Sequence, residues 1–149
     1  MVILKKFQFS LEKVLKVKER NEELKKKEFQ RAQKYRDEQK QALDKLLDKR
    51  HELCEDILTK QKSPVKIENI THYYSYLSHL DDEIINKRHQ LEDAEEQLEQ
   101  ARLNWIEAKR EKKVLEKLEE RQYEEYKQKV LKNEQKTLDE LSVQFSYSR

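Results

Sequence analysis

Alternate steps of three and four residues from Ile70 land on Ile70, Tyr73, Leu77, Leu80, Ile84, Lys87, Leu91, Ala94, Leu98, Ala101, Trp105 and Ala108. All but Lys87 are apolar or aromatic, in a chain only 35% apolar. A repeat of about 3.5 residues is that of a coiled-coil seam. Beyond Leu115 the frame decays and resumes shifted at Leu131, Leu138, Leu141 and Phe145, as a stutter would make it. The N-terminal half carries a patchier frame through Leu11, Leu15, Lys18, Glu22, Lys25, Phe29, Ala32, Arg36, Gln39, Leu43, Leu46, Arg50, Leu53 and Ile57. Its end is a good seam and its middle is polar, so the middle is expected to be looser.

The one proline, Pro64, divides these two patterns. Proline breaks a helix interior but suits the first helical position, so Ser63 can cap a second helix, with Asn69 as an alternative cap. The pattern predicts helix 1 at about 8–60, a corner at about 61–66 and helix 2 at about 66–143. The expected fold is all-α: one coiled-coil domain over 1–149, an antiparallel two-helix hairpin with a longer second helix. Charge agrees with that register. Residues 81–99 carry eight acids and two bases, and a hairpin sets them opposite residues 31–49, with six bases and four acids. A parallel homodimer would bring the acidic stretch against its own copy. The longer helix leaves an overhang bearing Tyr123, Tyr126, Val130, Leu131, Leu138 and Leu141, apolar surface that needs a cover.

Composition narrows the fold and the chemistry. With 43% charged residues and no glycine, the chain cannot build a multilayer core or a phosphate-cradling glycine loop. Lys+Arg 33 balances Asp+Glu 31 with the signs interspersed, which favours long helices over disorder. A single Cys54 forms no internal disulfide, and no stretch is long enough to span a bilayer. The short apolar run after Met1 is too brief for a signal-peptide core. The expectation is a cytosolic protein.

No catalytic constellation emerges. His51, His72, His79 and His89 form no His-x-x-x-His pair and have no cysteine beside them. His79 and Glu83, one turn apart, could hold a metal weakly, and otherwise are ordinary polar helix residues. Cys54 beside Leu53 reads as an inert thiol. A two-helix protein offers its carboxylates no cleft. The chain is expected to be no enzyme, with no cofactor and no metal. Residues 1–27 carry nine bases against four acids, which raises nucleic-acid binding. The interrupting Glu12, Glu19, Glu22 and Glu23 argue for a solvated face or a dock for an acidic protein. The cluster Tyr73-Tyr74-Ser75-Tyr76 exceeds what one seam can bury. Tyr73 can pack inward, while Tyr74 and Tyr76 should stand partly outside, either as a binding patch or as padding near the corner.

The opening Phe7-Gln8-Phe9-Ser10-Leu11-Glu12-Lys13-Val14-Leu15, followed by a long charged helix, resembles the start of FliJ proteins of the bacterial flagellar type III export apparatus. The Tyr73–Tyr76–Leu77–Leu80–Ile84 block and the total length match as well. The resemblance implies a coiled coil similar to the central stalk of rotary ATP synthases. It implies that both termini engage the export ATPase hexamer and promote its assembly, here through Leu11, Val14, Leu15, Tyr126, Val130 and Leu138. It also implies a contact with the cytoplasmic domain of the membrane export gate, through Tyr76, Leu80, Glu83 and Lys87, and escort of export chaperones. Leu80 also falls in the seam frame, in conflict with that contact. The implied place is the cytoplasm, at the inner face of the cell membrane beneath the flagellum. The free chain is then a monomer that binds no nucleic acid. Rival readings are a nucleic-acid-binding coiled coil and a structural filament or homodimer.

Overall fold

A computed structural model describes residues 6–61 and 67–148. It contains two helices, α1 (Glu12–Gln61, 50 residues) and α2 (Ile67–Tyr147, 81 residues), and no strand among the described residues. They pack as an antiparallel hairpin: residues late in α1 meet residues early in α2. The corner with Ser63 and Pro64 lies outside the described residues. Asn69 falls inside the first turn of α2 rather than before it. The helix bounds differ from expectation at two ends. α1 begins at Glu12, not near residue 8, and α2 continues to Tyr147, past 143. The late start of α1 has a local cause. Phe9 is buried, and its carbonyl accepts the Glu12 N–H at 3.2 Å, so the chain turns inward before the helix begins.

The chain divides into two compact units, each made of one segment from each helix: residues 25–105, and residues 1–24 with 106–149. In the first unit Leu53, Ile57 and Leu80 form the core, with Leu46, Tyr73 and Leu77 packed against it. Arg50 Nε donates to Asp81 Oδ1 at 2.6 Å, Lys87 Nζ donates to Gln39 Oε1 at 3.1 Å, and Phe29 stacks on Trp105 with ring centroids 5.2 Å apart. These three contacts fix the antiparallel register here. Burial follows the expected frame closely: Leu80, Ile84 and Ala94 are buried, and the other frame positions from Ile70 to Trp105 are half-buried. The polar frame positions of α1 in this unit, Lys25, Arg36, Gln39 and Arg50, are half-buried too. Long side chains can cover apolar neighbours with their stems while their charge stays wet.

In the second unit Phe9, Leu15 and Ala108 are buried, and so is Glu22. Two ion pairs bridge its helices: Lys18 Nζ to Glu111 Oε2 at 2.8 Å, and Lys112 Nζ to Glu22 Oε2 at 3.6 Å. Their signs are crossed, base on α1 in one pair and acid in the other, so a slip of α1 along α2 would lose both. The expected frame shift after Leu115 is not what burial follows. Half-buried positions continue in step through Leu115, Gln122, Tyr126, Val130 and Asn133, while Leu131, Leu138, Leu141 and Phe145 are exposed. Those four residues lie off the seam, because past the start of α1 no second helix remains to define one.

Candidate functional site

Two surfaces gather the residues on which the sequence placed binding. The first opens α2. Tyr73 turns inward onto the Leu53–Ile57–Leu80 core and its hydroxyl meets the Lys60 amine, whereas Tyr74 and Tyr76 are each 50% exposed. Of the four residues expected on one contact face, two point outward. Tyr76 and Glu83 are exposed, two turns apart on one side of the helix. Leu80 is only 2% exposed and belongs to the core, and Lys87 is half-buried against Gln39. His79 Nε2 lies 2.9 Å from Glu83 Oε1, as a pair on the helix surface. No group of three metal-ligating side chains occurs among the described residues.

The second surface lies within the unit made of residues 1–24 and 106–149. Before α1 the chain forms a short strap. Phe7 packs edge-on against Tyr123 with centroids 5.1 Å apart, and lies 5.5 Å from the Tyr126 ring. Ser10 Oγ donates to Gln122 Oε1 at 3.4 Å. Tyr123 and Tyr126, expected as uncovered overhang, are thus met by Phe7, which like Phe9 lies outside both repeats. The available signal was two phenylalanines, two residues apart, directly before a helix start. Of the six residues expected to bind here, Leu11, Val14 and Leu138 are exposed, Leu15 is buried beside the strap, and Tyr126 and Val130 are half-buried. From residue 134 to residue 148 every position is exposed, including Leu138, Leu141, Val143, Phe145 and Tyr147.

The two surfaces therefore offer apolar and aromatic side chains carried largely on helices. A family model described as Flagellar FliJ protein matches residues 7–149. The chain belongs to the FliJ family. Membership in FliJ, a family of non-catalytic export components, makes the chain part of the flagellar, type III export machinery. A solved chain described as a YscO homolog from Chlamydia trachomatis is similar in structure. Its TM-score is 0.69, with 92% of this chain and 93% of that chain covered at 15% identity. At that identity the likeness speaks to the fold. No curated protein matches the sequence. No described helix is long and apolar enough to cross a membrane.

Proposed function

We propose that this FliJ protein binds the flagellar export ATPase hexamer through its two termini, in the manner of a central stalk, and promotes ring assembly. The observation that carries this reading is the end of α2, where Leu138, Leu141, Val143 and Phe145 stand exposed on a helix that has outrun its partner. Exposed apolar residues in such a run mark a surface awaiting a protein. Leu11, Val14, Val130 and Leu138 make the contact, and Leu15 and Tyr126 hold the face in place from beneath. The Tyr76–Glu83 face meets the cytoplasmic domain of the export gate, with Leu80 and Lys87 positioning it from the seam. The same chain escorts empty export chaperones. It works in the cytoplasm at the inner face of the membrane.

The test is ATP hydrolysis by the matching export ATPase with and without the chain. Hydrolysis and ring formation should rise with the native chain and stay at the basal level with Leu138→Asp/Phe145→Asp. Tyr76→Ala should keep the ATPase effect and lose gate binding. An ATPase indifferent to the native chain would overturn the stalk reading.

A further inference from the structure

The seam leaves a second line of apolar residues on α1 without an occupant. Val14, Val17 and Leu24 are 42%, 60% and 52% exposed, and the half-buried Asn21 stands between them. Their spacing is three, four and three residues, the same repeat as the seam. Val14, Val17 and Asn21 each immediately precede a seam residue, namely Leu15, Lys18 and Glu22. One residue is about 100° of rotation on a helix at 3.6 residues per turn, so this line is a separate stripe on the flank of α1, about a quarter turn from the seam. A stripe with that repeat is the half of a coiled-coil interface that one helix supplies, and a polar Asn within it fixes register.

The borders of the stripe have one sign. Lys13 and Arg20 flank it on one side and Lys18 on the other, while Glu12, Glu19 and Glu23 fall on the opposite side of α1. Lys18 is held by Glu111, but Lys13 and Arg20 have no ion pair among the described residues. We propose that residues 13–24 dock an amphipathic helix of a partner protein whose apolar stripe is bordered by Asp and Glu. Charges flanking a coiled-coil seam choose the partner, while the apolar residues supply most of the affinity. A nucleic-acid backbone would leave Val14, Val17 and Leu24 uncovered. A second copy seated symmetrically on the stripe would set its own Lys13 and Arg20 against these. The inference goes beyond the ATPase reading and does not require it, although Val14 belongs to both surfaces.

The probe is a synthetic three-heptad peptide with leucine at the seam positions and glutamate at the flanks, compared with the same peptide carrying lysine there. Each is titrated calorimetrically into the full chain. The glutamate peptide should bind at least about tenfold more tightly than the lysine peptide, and Lys13→Glu/Arg20→Glu should reverse that order. Val17→Asp/Leu24→Asp should weaken glutamate-peptide binding by at least about tenfold with an unchanged circular dichroism spectrum. Leu138→Asp should leave it unaltered. The proposal is overturned if both peptides bind equally, if neither binds, or if Leu138→Asp removes binding and the α1 substitutions do not. Self-association of the chain abolished by Val17→Asp/Leu24→Asp would assign the stripe to a second copy and overturn it as well.

Discussion

Leu80 and Tyr76 sit one turn apart on α2 and should respond oppositely to the same substitution. Leu80 is the most buried large side chain among the described residues, packed with Leu53 and Ile57. A buried leucine truncated to alanine loses its transfer energy and leaves a cavity, about 2–5 kcal/mol together. Leu80→Ala is therefore expected to lower the urea midpoint sharply, read by circular dichroism at 222 nm. Tyr76→Ala removes a half-exposed ring and should shift stability by no more than about 0.5 kcal/mol. If Leu80→Ala were as mild as Tyr76→Ala, the Leu53–Ile57–Leu80 core would not be the anchor of its unit. The Arg50–Asp81 pair belongs to a different class. Both side chains are 43% exposed, so Asp81→Asn is expected to move the urea midpoint far less than Leu80→Ala. The Leu80 position was legible in the sequence because it stands in a 3.5-residue frame with eleven apolar members. The frame also accounts for its burial at 2% exposure, which suits a residue that supports a partner surface from the seam.

Among the elements, the seam was legible wherever both helices are present. Even polar frame members such as Glu22, Lys87 and Gln39 are drawn in, since a two-helix seam buries positions by geometry rather than by chemistry. What periodicity could not supply was the end of the seam. Leu131, Leu138, Leu141 and Phe145 keep a seam-like spacing, but a pattern along one helix reports a face and not what covers it. The strap was hidden for a related reason: Phe7 and Phe9 precede the helix, so no period includes them. The strap carries a prediction of its own. Phe7→Ala/Phe9→Ala uncovers Tyr123 and Tyr126 and removes a buried side chain next to Leu15. Hydrogen exchange should then speed up in residues 12–20 and 116–126, while residues 43–57 and 77–94 keep their protection, because the strap packs within its own unit. Faster exchange throughout both segments would mean that the strap governs the whole fold rather than one end of it.

For the whole molecule the balance of charge decides between the remaining classes of partner. The chain carries a formal net charge of +2, and the bases near its start are not a free field. Lys18 is paired with Glu111, Lys16 with Glu12, and Lys112 from α2 with Glu22. Acids thus lie within a few ångströms of Lys16 and Lys18, which leaves fewer bases near the start of α1 to meet phosphates. Nucleic-acid affinity grows with the number of phosphates neutralised and falls with salt at a slope of about 0.9 per contact on duplex DNA. Bases already held by a carboxylate add little to that gain, because the carboxylate must be displaced or brought toward the same backbone. Fluorescence anisotropy with labelled duplex DNA is therefore expected to show no saturable binding at physiological salt, and a slope below about two where binding appears at low salt. A slope of five or more would indicate a phosphate-tracking face that the ion pairs do not neutralise. It would move the basic start of α1 from protein docking to nucleic-acid binding, and the Lys13–Arg20 border would then have to be reassigned with it.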